Sequence, residues 1–461
     1  MKDTDTITAI STPIGKSGIG IVRLSGPNAI EITSKIFQSP SDVDLSAADS
    51  HTLHYGHIYE GENKIDEVLV SVMHSPNTYT REDVAEINCH GGVVPLRETL
   101  ELTLDHGARP AEPGEFTKRA FLNGRLSLDQ AQSVDDIIQS KTRFSLDLAM
   151  ERLEGKFSSL IKSLKEDLTD ILAEIGVALD FPDYEESILD SKELHSSLTD
   201  ISEQIETTLS RSRDGKILRE GFKVAILGKP NVGKSTLLNQ LLKEERAIVT
   251  PVPGTTRDTI EEELEIEGIP FKIIDTAGIR EPENEIEQKG ISKAQSQGQR
   301  ADLVLVIVDA DDGIQNEDQA IGEEIPRSNS ILLLNKIDLE PSLSQQSVLS
   351  QLGPGWADVM EISAKKGWGV EELGEKMTEL VWGGKVGRSE EIFLLNVREK
   401  KLLKEARGHL EEAAEALTMD RPIDLVELDI RQARESLGEL LGEDVSEEVI
   451  DRMFSNFCVG K

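Results

Sequence analysis

The amino-acid sequence predicts a multidomain fold: an N-terminal α+β domain, an α-helical domain, and an α/β domain inserted into the helical one. Three observations carry this. Short apolar runs broken by glycine turns fill residues 1–124, and long helical periodicity fills residues 125–217 and again 385–461. Between the helical stretches, residues 218–384 alternate buried strands with helices. At 461 residues the chain is too long for a single core.

The first region carries the runs Ile19–Gly26, Val68–Val72 and Glu86–Gly92, each bounded by turn residues. From Ser127 the texture changes. Ser127 and Gln130 form a capping box, and Leu128, Ala131, Val134, Ile137 and Ile138 follow at helical spacing. The helical pattern breaks near Asp180-Phe181-Pro182-Asp183 and resumes after Trp382-Gly383-Gly384. There Leu425, Leu428, Ala433, Leu437, Leu440 and Leu441 mark one apolar face. Helices on both sides of an α/β segment most simply form one domain with that segment inserted.

Composition narrows the class. The 86 acidic against 50 basic residues leave a net charge of −36, which repels nucleic acid phosphate. The acids are spread along the chain, which fits a solvated, salt-adapted surface better than an acidic tail. No apolar run approaches membrane-span length, and Met1-Lys2-Asp3-Thr4-Asp5 has acids where a signal peptide needs bases. Cys89 and Cys458 make neither a metal spacing nor a disulfide framework. A cytoplasmic protein is expected.

The chemistry concentrates in the inserted segment. Gly228-Lys229-Pro230-Asn231-Val232-Gly233-Lys234-Ser235 reads GxxxxGKS, preceded by the strand-like Phe222–Leu227 and followed by the helix-like Thr236–Leu242. In that context backbone N–H groups cradle the β-phosphate and the helix N-terminus adds partial positive charge. Lys234 then reaches the β and γ oxygens, and the Ser235 hydroxyl ligates Mg²⁺. Downstream, Asn335-Lys336-Ile337-Asp338 follows the apolar Ile331–Leu334, at the end of a strand where α/β sheets bind ligands. The Asp338 carboxylate would accept from N1–H and the exocyclic amine of guanine, a donor pair adenine lacks. Ser363-Ala364, after Val359–Ile362, fits the loop that backs the base.

Between these lies Asp275-Thr276-Ala277-Gly278, a DxxG pattern for Mg²⁺ (through water) and the γ-phosphate. Upstream, Thr256 of Gly254-Thr255-Thr256 supplies a second Mg²⁺ hydroxyl, and Thr250-Pro251-Val252-Pro253 completes the loop around the nucleotide with Val232 and Thr236. The order of these motifs defines a P-loop GTPase of Ras-like type. Ile279 stands where a water-orienting glutamine is usual, so the attacking water must be oriented from elsewhere. Asn231 has two readings: a loop-stabilising Asx turn, or an oxygen ligand for a K⁺ ion that neutralises charge as an arginine finger does.

With these residues in place the chain resembles the MnmE (TrmE) family of tRNA-modifying GTPases over essentially its whole length. The resemblance rests on Thr12–Gly26, Asn88-Cys89-His90-Gly91-Gly92, Pro113–Gly124, the GTPase motifs, and Phe457-Cys458-Val459-Gly460-Lys461, where the family usually has Ile for Val459. It implies a K⁺-activated GTPase that forms a homodimer. Its N-terminal domain (residues 1–124) would bind a folate, 5-formyl- or 5,10-methylene-tetrahydrofolate. It also implies an FAD-carrying partner, MnmG (GidA), in a heterotetramer or larger complex. Together they would add an aminomethyl or carboxymethylaminomethyl group at C5 of the wobble uridine of certain tRNAs.

Carried onto this chain, K⁺ would be held by Asn231, Thr250, Val252 and Thr255, and the water oriented by Glu287, which on the residues alone reads as a solvated helix carboxylate. Folate would be held by Arg23, Glu86, Arg125 and Lys461. Arg23 and Glu86 read alone are surface ion-pair residues, and Arg125 stands where many members have Lys. Cys458 is either incidental or a thiolate that assists one-carbon transfer or a redox step, with Lys461 nearby. A ribosome-assembly GTPase similar to Era or EngA would need a KH-type module with a basic GxxG loop, and none is apparent. A regulatory switch without modification chemistry is the remaining alternative.

Overall fold

The computed structural model describes residues 5–180, 190–214, 217, 221–244, 246–247, 262–274, 301–339, 343–382 and 392–461. Two compact units divide the chain: residues 1–135, 151–205 and 401–461 make one, and residues 136–150 and 206–400 the other.

The first unit begins with β1 (Ile7–Ile10), β2 (Gly20–Ser25), α1 (Ala29–Ile36), β3 (Phe37–Gln38), β4 (Thr52–Glu60), β5 (Asn63–Met73), β6 (Val84–Cys89), α2 (Val93–Asp105), β7 (Arg109–Pro110) and α3 (Glu115–Leu122). The strands form one sheet in the order β3-β4-β5-β6-β2-β1-β7, with β1 and β7 parallel and every other neighbour antiparallel. Alternation decides which face is covered. Val22, Leu24, Val68, Val70, Val72 and Ile87 pack under Ile32 and Ile36 of α1 and Leu96 and Leu102 of α2. Leu53, Tyr55 and Leu69 remain exposed on the opposite alternation.

Helices follow: α4 (Leu128–Gln139), α5 (Arg143–Leu153), α6 (Lys156–Asp180) and α7 (Ser191–Ser210). The capping box of α4 differs from expectation in one half. Gln130 Oε1 accepts from the Ser127 N–H at 3.0 Å, while the Ser127 hydroxyl donates to the Asp129 carboxylate at 2.6 Å. The stripe also differs: Leu128 and Ala131 are buried, Ile138 is exposed, and Ser133, Asp135 and Asp136 occupy buried positions beside them. In α6, Phe157, Ile161, Leu164, Leu168, Ile171 and Ile175 are buried at spacings of three and four. Helix α6 is described to Asp180, and residues 181–183 of the break expected near 180–183 lie outside the described residues.

The second unit contains β8 (Ser212–Asp214), β9 (Phe222–Leu227), α8 (Lys234–Glu244), β10 (Arg246–Ala247), β11 (Glu262–Ile266), β12 (Ile269–Ile273), β13 (Leu303–Asp309), α9 (Asn316–Glu324), β14 (Ser330–Asn335), α10 (Gln345–Leu352), β15 (Asp358–Ile362), α11 (Val370–Trp382) and β16 (Phe393–Leu395). Its main sheet runs β10-β11-β12-β9-β13-β14-β15, parallel from β12 to β15. Both faces are covered, so the strands read as continuous apolar runs: all seven residues of β13 and all six of β14 are buried. The β11–β12 hairpin turns on Glu267 and Gly268, both at positive φ (50° and 86°), as a two-residue primed turn requires.

The chain returns to the first unit through α12 (Val397–Thr418), α13 (Ile423–Leu441) and α14 (Glu447–Phe454). The apolar face of α13 is a correction. Val426, Ile430, Ala433, Leu437, Leu440 and Leu441 are buried, and α13 packs along α6. Leu425 and Leu428 are about half exposed, at 47% and 50%. The buried line is rotated by one position from the one that the leucines suggest.

Candidate nucleotide site and N-terminal cleft

The phosphate loop leaves β9 and enters α8 at Lys234. Asn231 sits at φ 63°, a left-handed conformation that asparagine tolerates better than most residues. Gly233 is there for space as well as for its φ of 107°: a Cβ on it would lie 2.3 Å from Nδ2 of Asn335. That Asn335 amide is nearly fully buried and joins two loops, donating to the Val232 carbonyl at 2.7 Å and accepting from the Ala364 N–H at 2.9 Å. Its polar atoms are therefore engaged in holding the phosphate loop against the base loop.

Strand register explains why these motifs meet. Asp309 of β13 pairs with Asn335 of β14, and Asn335 pairs with Ile362 of β15, so the residues after each strand emerge side by side. Lys336, at φ 72°, is salt-bridged to Asp309. The Ser363 hydroxyl donates to Oδ1 of Asp338 at 2.6 Å, which lowers that carboxyl's pKa and fixes it as an acceptor. In the phosphate loop, Nζ of Lys234 donates to the carbonyls of Gly228 (2.7 Å) and Lys229 (2.9 Å), and burial holds its pKa below the ordinary lysine value. Ser235 and Thr236 are exposed, with hydroxyls open to a ligand or metal. Thr250, Pro251, Val252, Pro253, Gly254, Thr255, Thr256, Asp275, Thr276, Ala277, Gly278 and Glu287 lie outside the described residues.

Lys229 was missed by motif reading. It is buried, donates to Asp312 at 2.9 Å and lies 3.6 Å from Asp318, which anchors the loop toward α9. The signal available was the pair of carboxylates in Asp312 and Asp318 beside a strand end, which is weak without the fold.

A second cluster lies in the first unit. Arg23 and Glu86 face each other across β2 and β6, with Nε and Nη2 of Arg23 at 2.8 and 2.7 Å from Oε1 of Glu86. Oε2 of Glu86 has no hydrogen-bond partner among the described residues. The Arg23 guanidinium also stacks 5.6 Å from the Phe116 ring centroid and donates to the Gly460 carbonyl at 3.2 Å. Arg125 lies 4.7 Å from the ring centroid of Tyr79, which packs in the same small cluster as Phe116.

Residues 457–461 close this cleft. Phe457 is buried beside Phe454, and the Cys458 carbonyl accepts from the Gly114 N–H at 3.3 Å. Gly460 approaches β1 so closely that a Cβ would lie 2.6 Å from the Ile10 carbonyl oxygen. Burial, and then the Arg23 charge, hold Lys461 below the ordinary lysine value. Cys458 is exposed, whereas burial pushes the Cys89 thiol up to about 11, which makes it inert. The cleft thus offers a free carboxylate oxygen, two aromatic rings carrying guanidinium groups, and a lysine: a suitable surround for a flat heteroaromatic ligand with an anionic tail. Phe116, Tyr79 and Gly460 were not foreseen, because their contributions come through stacking and a carbonyl rather than a motif.

A phosphate loop and a guanine-type tetrad, brought together at the strand ends of a largely parallel sheet, define a P-loop GTPase domain. Residues 6–125 match the description "GTP-binding protein TrmE N-terminus" and residues 128–458 match "MnmE helical domain". The chain is 44% identical over 460 residues to "tRNA modification GTPase MnmE" of Bacillus subtilis (strain 168), covering 99% of this chain and 100% of that one. It is 46% identical over 459 residues to the protein of the same name from Thermoanaerobacter sp. (strain X514), covering 99% of each. The chain belongs to the MnmE (TrmE) family. Among the described residues no helix is long and apolar enough to cross a membrane.

Proposed function

We propose that this GTP hydrolase of tRNA modification is K⁺-activated and folate-dependent. It acts as a cytoplasmic homodimer with an FAD-carrying MnmG (GidA) partner on the wobble uridine of tRNA. The observation that supports the nucleotide half best is the Asn335 bridge, which ties the phosphate loop to the guanine-reading loop. In this reading Asp338 selects guanine, Lys234 exchanges its loop carbonyls for phosphate oxygens, and Ser235 and Thr256 hold Mg²⁺. Asn231, Thr250, Val252 and Thr255 would hold K⁺, which would supply positive charge to neutralise the charge developing on the phosphates. Glu287 orients the attacking water. The nucleotide domain (218–384) is inserted between the helical segments 125–217 and 385–461.

The folate half is supported by the cleft. Oε2 of Glu86 accepts from a pterin-like edge, while Arg23, Arg125 and Lys461 face the anionic tail; bound there, folate supplies the one-carbon unit. Cys458 acts near that unit and has no part in GTP hydrolysis.

GTP turnover measured in K⁺ and in Na⁺ at matched ionic strength tests the cation. Turnover should be markedly faster in K⁺, and equal rates would remove the assignment. Cys458→Ser should keep K⁺-dependent turnover but lose the modified nucleoside in mass spectrometry of tRNA from a complemented strain; normal tRNA would leave the residue structural.

A further inference from the structure

We propose that His409 and Glu412 of α12, with Asp429 of α13, form a binding site for one divalent first-row transition-metal ion, with Zn²⁺ as the representative, that clamps this helix pair. The three residues belong to neither cluster described above. His409 and Glu412 stand one turn apart on α12, and Asp429 meets them from α13. Their ligand atoms all lie within 4.8 Å of one another. Tetrahedral ligands held 2.0–2.2 Å from a shared ion stand about 3.3–3.6 Å apart, so side-chain movements of about an ångström close the set.

The local interactions favour an ion over a finished hydrogen-bond network. Nδ1 of His409 is shielded from solvent and has no hydrogen-bond partner among the described residues. It lies 3.6 Å from Oε2 of Glu412, too far for a hydrogen bond. Asp429 is partly buried and faces the partly buried His409 and the exposed Glu412. Two carboxylates thus face each other beside an imidazole, with no thiolate in the group. One nitrogen and two oxygens suit a borderline divalent ion. Ca²⁺ would need six to eight oxygens, and Cu(I) prefers sulfur.

The consequence is mechanical. Leu410 and Ala413 of α12 and Val426, Ile430 and Ala433 of α13 are all buried, so both helices are already anchored by apolar faces. An ion bridging 409 and 412 to 429 would bind the folded pair and not the unfolded chain, and so stabilise it by mass action.

The test uses the full-length protein stripped with EDTA, titrated with Zn²⁺ in excess Mg²⁺, which occupies the oxygen-only sites of so acidic a surface. One equivalent should bind tightly and raise the melting temperature. His409→Ala and the near-isosteric Asp429→Asn should each weaken that equivalent by at least about tenfold and abolish the thermal gain. GTP turnover should be unchanged in both. Co²⁺ should give a ligand-field absorption band in the parent that His409→Ala lacks. No tight equivalent in the parent, or parent-like affinity in both variants, would overturn the site and leave a His–carboxylate ion pair.

Discussion

The nucleotide site and the N-terminal cleft assemble by opposite routes. In the first, Asn231 to Thr236 are contiguous and Asn335 to Asp338 are contiguous, and the register of β13, β14 and β15 brings the pieces together. In the second, Arg23 meets Glu86, 63 residues away, and the Gly460 carbonyl, 437 residues away, so the cleft exists only through long-range contacts. Yet both present a lysine that burial holds below its ordinary pKa, Lys234 in one and Lys461 in the other. A lysine whose charge is poorly solvated gains from an anion beside it, whichever way the site was built.

Gly233→Ala should produce the largest effect and strike one side of this comparison alone. The added Cβ meets Asn335 at a φ of 107°, so backbone strain of about 1–3 kcal/mol adds to a disrupted buried hydrogen bond worth about 1–3 kcal/mol. Fluorescent GDP titration should report an affinity about 100-fold weaker, while folate binding stays at the parental level. Parental GDP affinity would mean that the Asn335 bridge is dispensable.

Arg23→Ala is the reciprocal change. With 5-formyl-tetrahydrofolate at about 100 times its dissociation constant, the parent should gain about 2.7 kcal/mol. The variant should gain almost none and bind GDP normally, because the two sets of residues fall in different units. An undiminished thermal gain would remove Arg23 from the folate assignment.

The smallest effect concerns proton linkage. The pKa of Lys461 is lowered on folding, so just below the ordinary lysine value the unfolded chain binds more protons and stability rises with pH. Lys461→Met should make that rise shallower in urea titrations, leaving the same-signed contribution of Lys234. An unchanged slope would show that Lys461 is solvated.

What was legible follows the same division. The phosphate loop and the guanine tetrad could be read directly because their chemistry is set by neighbours in sequence, and the alternation of apolar runs gave the fold class. The cleft's shelves could not be read this way, since Phe116 looks like any core phenylalanine until Arg23 is seen above it. The misplaced face of α13 has a simpler cause. Leu425 and Leu428 repeat at helical spacing, but Val426 and Ile430 lead the line that continues to Leu437 and Leu441, and hydrophobicity alone does not choose between adjacent stripes. Ser127 was misread for a comparable reason: Asp129 competes for its hydroxyl.

The closure of the cleft by residues 457–461 also sets a timetable. A chain is made from its N-terminus, so β2 and β6 are complete by residue 89, and the Gly460 carbonyl follows after about 370 more residues. At about 5–20 residues per second that interval is roughly 20–75 s, during which the Arg23–Glu86 pair has no lid. A product truncated between Trp382 and Gly460 would keep every strand of the nucleotide sheet yet never finish the cleft. Completion of the cleft therefore reports that synthesis has passed Gly460.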